Sequence, residues 1–299
     1  MHRLNMLVGI LPFIEQQGMW DTISNEHEDV RGQYWAKMGP SPHTIRYKSW
    51  ATDIPAYRCP SDPGIGLPAL GRTNYAACTG DAIARNNLGA SRFHGNQGRW
   101  RYQDETWLVA QVLAAQRGVF VPRKESRFRD VLDGLSNTIA MGEIATSLQD
   151  RDIRGAGAYF QGSYWGEGVH GNPSECQDND LIDPERPRFW RAGTNVGGRA
   201  VKRGYRWADF RPLYSQVNTL LPPNREVCLA GGHVSPGVVP PSSRHQGGAH
   251  ILMADGAVIF MTDSVEAGDS RAEPVWQRNP NSVSSVSYTH LKLPTNVQQ

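Results

Sequence analysis

The sequence lacks a hydrophobic run long enough to cross a membrane. The longest apolar stretch near its start, residues 4–14, covers about eleven residues and is interrupted by Asn5, Gly9 and Pro12. A bilayer-spanning helix needs roughly 20 apolar residues, so no span is predicted within the sequence. The stretch also resembles a signal-peptide core only loosely, because the Glu-Gln-Gln-Gly run at 15–18 offers no small-residue cleavage site.

The chain also lacks an excess of charge of either sign. It carries 31 Lys and Arg against 29 Asp and Glu, a formal net charge of +2. Such a balance gives no general attraction to nucleic acid or to an anionic lipid surface, and we expect no nucleic-acid partner. No C-x-x-C, G-x-S-x-G or H-E-x-x-H motif occurs, which argues against zinc ribbons, thioredoxin-like redox sites, hydrolase elbows and HExxH metalloproteases.

Cysteine is scarce, with four residues in the chain. Four cysteines allow three disulfide connectivities. Cys176 and Cys228 lie in loop-like sequence rich in Pro and Asn, where a bridge would constrain long loops. We predict a Cys176–Cys228 disulfide. A second pair, Cys59–Cys78, stays open, and free buried thiols are the alternative.

Glycine and proline, in contrast, are abundant. The 31 Gly and 20 Pro in 299 residues favour turns and short strands over long helices, and the nine Trp suit either a β-rich surface protein or a core short of Leu and Ile. We predict an α+β, β-dominated fold with an antiparallel sheet and long loops. The predicted helices cover residues 13–23 and 104–115, the second with Asp104 as N-cap, and the predicted strands cover residues 120–121, 138–144, 159–165 and 213–221.

The strongest local signal lies in residues 243–264, where two apolar runs flank Asp255-Gly256. Asp-Gly between apolar runs is typical of a β-hairpin with a two-residue type I′ turn. Apolar groups would then occupy both faces, so we expect a hairpin inside a sheet covered on both sides. Gly247-Gly248 would let the chain bend sharply into the first strand. The predicted cross-strand pairs are Ala254 with Ala257, Met253 with Val258, Leu252 with Ile259, and Ile251 with Phe260.

The same segment supplies the residue types of a hydrolase triad in Ser243, His245 and Asp255. His245 and Asp255 are about ten residues apart, roughly 30 Å along an extended strand. They would meet only if the chain folded back at the two glycines. We therefore predict no catalytic residue, no cofactor and no metal site. The residues His245, Gly247, Gly248, Asp255 and Gly256 are interpreted as a structural motif.

Two further segments carry binding alternatives. Residues 133–137 (Asp-Gly-Leu-Ser-Asn) and 178–180 offer oxygen ligands for calcium, which needs six to eight of them; each segment alone offers fewer. An aromatic band could stack on sugar rings, or pack within a Gly-rich sheet as ordinary core. Its members are Tyr159, Phe160, Tyr164 and Trp165.

Several short motifs follow one another along the chain. They are Leu11-Pro-Phe-Ile-Glu-Gln16, Tyr57-Arg-Cys-Pro-Ser-Asp-Pro63, Thr73-Asn-Tyr-Ala76, Gly118-Val-Phe120, residues 127–143, Leu221-Pro-Pro-Asn224 and the hairpin. Together, over about residues 4–278, they resemble the prepilin-like family of planctomycete bacteria, catalogued as a domain of unknown function. The C-terminal pattern of that family is His, nine residues, then Asp-Gly, and His245 with Asp255-Gly256 matches it.

The resemblance implies a type IV prepilin leader, a membrane-spanning N-terminal helix and a β-rich, pilin-like head outside the cytoplasmic membrane. The sequence shows neither leader nor helix, so we expect the true start to lie upstream of Met1. Residues 1–24 are then a remnant of the N-terminal helical region and residues 25–280 the head. Residues 281–299 resemble translated sequencing-adapter read-through, which we interpret as a non-native tail; a genuine flexible tail is the alternative.

We expect a non-enzymatic, pilin-like or pseudopilin-like protein of the cell envelope or the extracellular space. Its full-length form would be anchored in the inner membrane through the N-terminal helix. It would act by assembly, in a pilus or a type II secretion-like system, or by surface interaction. One alternative is an extracellular ligand- or glycan-binding module that uses a pilin-type export route; another is a His- or metal-dependent hydrolase.

Overall fold

The computed structural model describes residues 3–96, 99–160 and 172–276. The predicted tail at 281–299, and Tyr164 and Trp165 of the aromatic band, lie outside the described residues. Helices in the described part are short, as the Gly and Pro content predicts. They are α1 (Met6–Gly9), α2 (Gln17–Ser24), α3 (Lys48–Ala51), α4 (Thr106–Ala115), α5 (Glu175–Asp178) and α6 (Pro212–Ser215), with 3-10 turns at Leu11–Ile14, Pro55–Tyr57, Phe128–Asp130 and Leu135–Asn137.

The strands are mostly short and form four sheets in the described part of the chain. Two of the sheets are hairpins, β1-β2 and β4-β5; a third has the order β10-β9-β7, and the largest has the order β12-β11-β6-β3-β8. The strands are β1 (His27–Glu28), β2 (Tyr34–Trp35), β3 (Tyr75–Cys78), β4 (Ser91–Asn96), β5 (Arg99–Asp104), β6 (Ile139–Glu143), β7 (Ala158–Tyr159), β8 (Gln216–Val217), β9 (Cys228–Leu229), β10 (Gly237–Val238), β11 (Gly248–Met253) and β12 (Val258–Thr262).

The five-stranded sheet organises the middle of the molecule. Strand β6 lies at its centre and runs antiparallel to β3 and β11, whereas β3 pairs with β8 in parallel. The sheet is therefore mixed rather than purely antiparallel. The described part is a mixture of few helices and several sheets, which agrees with the predicted α+β class at that level. Among the described residues, no helix combines the length and the apolar character needed to cross a bilayer.

The predicted hairpin is present, but the predicted strand register is wrong by one residue. Strand β11 pairs with β12 so that Leu252 faces Val258 and Ile251 faces Ile259. The loop between them has three residues, because the backbone N–H of Met253 donates to the carbonyl of Ala257 and that of Gly256 donates to Met253. Gly256 alone adopts positive φ (+95°) in this loop. A type I′ turn needs positive φ at two residues, whereas a three-residue loop with one left-handed glycine needs only one.

The expectation that the hairpin is covered on both sides is also wrong. Strand β12 is the edge of the sheet, and Val258 and Phe260 are 64% and 45% exposed. Ile251 and Met261 point to the opposite face, where they join a buried cluster with Ile139 and other residues of the sheet. The corrected register thus gives β12 one buried and one open face. Apolar sequence on both faces of a strand does not ensure burial, since a large share of protein surface is apolar.

Large aromatics fill much of the interior. Trp50, Trp190 and Trp207 are fully buried. Trp50 and Trp207 pack edge to face with ring centroids 5.6 Å apart, and Leu7 and Leu11 from the N-terminal turns pack in the same cluster. Three of the nine tryptophans therefore fill a core, which favours that interpretation for them. The N-terminal turns share this core with residues near position 207.

Other predicted elements differ in detail. The helix predicted over residues 104–115 is confirmed as α4, but its first helical residue is Thr106 and its N-cap is Glu105, one residue after the predicted Asp104. The predicted helix at 13–23 is interrupted at Glu15, which has φ of +62°, so only α2 is α-helical. The predicted strand at 213–221 reduces to β8 after the short helix α6, and residues 120–121 form no strand.

Candidate functional site

The predicted disulfide is formed in the structure. Cys176 of α5 and Cys228 of β9 are bonded, with their Cα atoms 6.0 Å apart, and both are fully buried in one apolar cluster. The second pair left open from the sequence is wrong, because Cys59 and Cys78 are free thiols. Cys78 belongs to the buried cluster of the five-stranded sheet. Cys59 lies in a loop, and its side chain contacts His245. The two sulfur atoms therefore belong to different environments.

The residues of the His-x9-Asp-Gly motif do not meet. His245 lies in the turn before β11, whereas Asp255 is exposed at the tip of the hairpin, where its carboxylate accepts the backbone N–H of Ala257. Gly247 has φ of +79° and permits the bend into the strand. Ser243 Oγ donates to the carbonyl of Gly248, 2.6 Å away. The Ser-His-Asp arrangement considered from the sequence is not assembled.

His245 instead belongs to a cluster that was not predicted from the sequence. Its Nε2 is 3.2 Å from Glu143 Oε1 and 3.8 Å from Cys59 Sγ. On the other side of the carboxylate, Oε2 accepts the backbone N–H of His250 at 3.1 Å and lies 3.2 Å from its Nδ1. The two imidazole rings meet edge to face with centroids 4.9 Å apart. We call Cys59, Glu143, His245 and His250 the Cys-Glu-His cluster.

Each member of the cluster is held by a different element. Glu143 is the last residue of β6, and His250 lies in the neighbouring β11. The backbone N–H of His245 donates to Ser243 Oγ at 3.0 Å, which fixes the turn that presents the ring. The backbone N–H of Cys59 donates to Asn74 Oδ1 at 3.1 Å. The cluster is thus built on the end of the central strand and on two loops fixed by side-chain hydrogen bonds.

A buried polar network lies beneath the Cys59 loop. Asn74 donates to Asp62 Oδ2 at 2.8 Å, and the same carboxylate accepts the backbone N–H and the hydroxyl of Thr146. Asp62 and Asn74 are almost fully buried. Because breaking a buried network leaves unpaired polar groups, this network gives the loop a single conformation. It also explains why Cys59 stays beside Glu143.

The electrostatics of the cluster keep the free thiol protonated. Burial raises the pKa of Cys59, and the neighbouring carboxylate of Glu143 adds to the shift. Burial likewise raises the pKa of Tyr75, which pairs with Glu143 across β3 and β6. Cys59 and Glu143 are nearly buried, whereas the side chains of His245 and His250 are 29% and 44% exposed. The cluster therefore has a closed floor and an open, imidazole-lined mouth.

The arrangement does not suit a cysteine nucleophile. In a catalytic triad, the nucleophile and the orienting carboxylate use opposite nitrogens of the imidazole ring. Here the thiol and the carboxylate of Glu143 both approach Nε2 of His245. A raised pKa also disfavours the thiolate that would attack. What the geometry offers is three possible metal-ligand atoms, one from each of Cys59, Glu143 and His245, within 4.8 Å of one another.

The calcium alternatives find no such convergence. In the described part of the chain, the Cys-Glu-His atoms form the one group of three or more His, Cys, Asp and Glu ligand atoms that converge. Asp178 is instead paired with Arg271, whose Nη2 lies 2.8 Å from Oδ1. In the described half of the aromatic band, Tyr159 and Phe160 are partly buried, and each packs against a different apolar cluster. These two rings therefore serve as core.

Sequence reasoning missed Cys59, Glu143 and His250 because they are far apart along the chain. One signal could have found the first two. Each lies inside one of the ordered motifs, Cys59 in residues 57–63 and Glu143 at the end of residues 127–143, while His245 opens the third. Three motifs that each carry one metal-type ligand are a reason to test whether the ligands meet.

A comparison with protein families matches residues 2–268 to the family described as protein of unknown function, DUF1559. Neither curated proteins nor solved structures gave a match. The matched region spans well over half of the 299 residues and contains the whole Cys-Glu-His cluster and the Cys176–Cys228 disulfide. The chain therefore belongs to the DUF1559 family.

Proposed function

We propose that the protein is an exported, pilin-like component of the cell envelope that acts by assembly or surface interaction, without catalysis. The ordered motifs and their resemblance to prepilin-like proteins support this function. Its full-length form would be held in the inner membrane by an N-terminal helix of the prepilin type. The head would then stand outside the cytoplasmic membrane, free to contact a filament, a secretion assembly or a surface.

The observation that carries this proposal is the buried disulfide. Disulfides form and persist in oxidising compartments and are rare where thiols are kept reduced. Cys176 and Cys228 are both fully buried in the apolar cluster that contains Trp190 and Leu221. A bond in this position supports a structural rather than a regulatory role, because it is shielded from soluble reductants. It favours folding outside the cytoplasm.

A surface for assembly is available on the five-stranded sheet. Among the described residues, strand β12 pairs on one side only, with β11. Its outward face carries Val258 and Phe260, both well exposed. An open edge strand with exposed apolar side chains is suited to strand addition by a partner chain. This edge supports assembly through backbone pairing.

A second candidate, an extracellular ligand-binding module, is favoured by one specific feature. An open cavity of about 1030 Å³ lies beside the five-stranded sheet. Cavities of this size, lined largely by apolar side chains, are typical of small-molecule sites. The lining favours an apolar ligand over a glycan. Its apolar residues include Leu4, Met6, Phe120, Phe128, Val131 and Leu252.

The assembly function is tested in cells that produce the protein with an epitope tag. We expect protease added to intact spheroplasts to digest the tagged head, while a cytoplasmic control protein survives. Sheared filaments or purified secretion assemblies should contain the head. Protection from protease would contradict export, and absence from both fractions would contradict assembly. Val258→Lys at the β12 edge should reduce recovery in these fractions without changing protein abundance.

The ligand-binding candidate is tested with a fluorescent fatty-acid probe and the purified protein. Leu252→Lys places a charge in the cavity and should abolish binding. Val258 is the cross-strand partner of Leu252 but does not line the cavity. The Val258→Lys variant should therefore bind the probe normally. Equal binding by both variants would exclude the cavity as the site. No binding by the unmodified protein would exclude this class of ligand.

A further inference from the structure

The Cys-Glu-His cluster brings together donor atoms of three kinds. Cys59 Sγ, Glu143 Oε1 and His245 Nε2 come from distant segments and lie within 4.8 Å of one another. Thiolate, imidazole and carboxylate are the three protein ligand types of zinc. A mixed set of this kind, with a soft sulfur donor, disfavours calcium and magnesium, which take oxygen ligands.

Two of the three separations are close to those of ligands around one tetrahedral ion. With Zn–S about 2.3 Å and Zn–N or Zn–O about 2.0–2.2 Å, tetrahedral angles place sulfur and nitrogen about 3.6 Å apart, and nitrogen and oxygen about 3.4 Å apart. The observed distances are 3.8 Å from Cys59 Sγ to His245 Nε2 and 3.2 Å from that nitrogen to Glu143 Oε1. These two separations differ from the tetrahedral values by about 0.2 Å, and the third pair, Cys59 Sγ and a Glu143 oxygen, lies within 4.8 Å.

A hydrogen-bonded cluster without an ion explains the contacts less well. One N–H of His245 can serve only one strong acceptor, yet Nε2 faces both the carboxylate and the sulfur. An ion at the common point would use all three donors at once. The approach of both the sulfur and the carboxylate to Nε2 of His245 argues against a nucleophile, but it suits three ligands that share one ion.

The second carboxylate oxygen of Glu143, Oε2, is bound by His250 on the side away from Cys59 Sγ and His245 Nε2. Oε2 accepts the backbone N–H of His250 and contacts its Nδ1, which leaves Oε1 directed at the sulfur and the other imidazole. Metal-ligating carboxylates are commonly oriented by such hydrogen bonds. His250 therefore acts as a positioning residue. The exposed mouth beside the two rings leaves a fourth position for water or an added ligand.

We propose that the Cys-Glu-His cluster is a zinc site with Cys59, Glu143 and His245 as ligands, His250 as the positioning residue and a fourth coordination position open to solvent. The ion joins the end of β6 to two loops from opposite ends of the chain. Zinc bound in this way stabilises the fold, because the unfolded chain does not hold the three ligands together.

The test uses the untagged protein of residues 1–299, first stripped of metal with a chelator and then titrated with Zn²⁺ or Co²⁺ alone. We expect about one equivalent of Zn²⁺ by elemental analysis, and a thiolate-to-cobalt charge-transfer band with Co²⁺. Zinc should raise the melting temperature, and Ca²⁺ should leave it unchanged. Absence of binding, or equal stabilisation by Ca²⁺, would overturn the proposal.

Variants assign the ligands. Cys59→Ser and His245→Gln should each weaken zinc binding by more than about 100-fold and abolish the sulfur-to-cobalt band or change its position. His250→Ala should weaken binding by roughly 10–100-fold and keep the band, because it removes only a positioning residue. The matched controls are Cys78→Ala and His43→Gln, a free cysteine and a histidine away from the cluster. Zinc affinity equal to the unmodified protein in Cys59→Ser would overturn the assignment.

A second measurement covers variants that fold poorly. In the unmodified protein, Zn²⁺ should slow alkylation of Cys59 at least tenfold and a chelator should restore the rate, while the fully buried Cys78 stays unreactive in both conditions. Glu143→Gln should lose this protection. An alkylation rate of Cys59 that is independent of zinc would contradict the site. Because none of these readouts depends on export or assembly, failure here leaves the proposed function unaffected.

Discussion

The disulfide offers the sharpest test of how the described fold is stabilised. The perturbation is the double variant Cys176→Ala with Cys228→Ala, or reduction of the unmodified protein. The bond closes a loop with a sequence separation of 52 residues. In the chain-entropy account, closing about 52 residues removes roughly 14 cal/mol/K from the unfolded ensemble, or about 4 kcal/mol at 25 °C. Loss of the bond should thus lower the free energy of unfolding by about that amount.

The double variant should lose about 2 kcal/mol more than reduction does. Each Cys→Ala change also removes a buried sulfur from a packed cluster, at about 1 kcal/mol per site. Cys78→Ala is the matched control, since it removes a fully buried sulfur that closes no loop. It should cost only the packing part. The difference between the double variant and two such changes isolates the bridge.

The assay is guanidinium unfolding followed by tryptophan fluorescence, with and without reductant. Reductant should shift the midpoint of the unmodified protein strongly and leave the double variant unchanged. The dependence of unfolding free energy on denaturant should steepen without the bond, because the unbridged unfolded chain exposes more surface. Alkylation in denaturant without reductant should label two cysteines of four. A shift below about 1 kcal/mol on reduction would refute the loop-entropy argument.

Three further predictions concern stability. Gly197→Ala should lower the unfolding free energy by about 1–3 kcal/mol more than Gly193→Ala does, because both residues have positive φ but only at Gly197 would the new Cβ overlap the Tyr159 hydroxyl. Tyr159→Phe should recover part of this difference, and equal costs of the two glycine substitutions would contradict the prediction. Burial and nearby arginines lower the pKa of His233 to about 4. Between its ordinary pKa of about 6.5 and pH 4 the unfolded state binds more protons than the folded state, so the unfolding free energy decreases as the pH is lowered through this range. His233→Gln should weaken that fall in pH-dependent melts, and an unchanged slope would contradict it. Arg203 is fully buried and donates to the backbone carbonyls of Pro212 and Gln216, so Arg203→Lys should lower the unfolding free energy by about 2–3 kcal/mol in denaturant unfolding; unchanged stability would contradict this.

Local chemistry predicted the elements whose determinants lie close together in sequence. The hairpin around Asp255-Gly256 and the helix α4 both follow from residues within about ten positions of one another. The hairpin register failed because one detail, the number of residues with positive φ, decides between two- and three-residue loops. Asp255 keeps negative φ and instead accepts the backbone N–H of Ala257. The sequence Asp-Gly is compatible with either loop.

The Cys176–Cys228 bond was predictable because loop-like composition marked both ends. The Cys-Glu-His cluster was not, because its members are separated by 84 residues (143 minus 59) and 102 residues (245 minus 143). Only the order of strands in the sheet brings the end of β6 to the turn before β11. Secondary-structure patterns carry no information about that order. The same gap explains why β12 was expected to be covered, since its place at the edge is also a matter of strand order.

The position of β6 has a consequence for how the chain is made. This central strand pairs with β3, which precedes it, and with β11, which begins 105 residues after β6 ends (248 minus 143). A chain that emerges N-terminus first therefore exposes one unpaired edge of β6 until β11 has appeared, and Cys176 likewise lacks its partner until Cys228 has been made. Open strand edges on incomplete chains invite aggregation. The chain must therefore be present through β11 before this side of β6 can be paired.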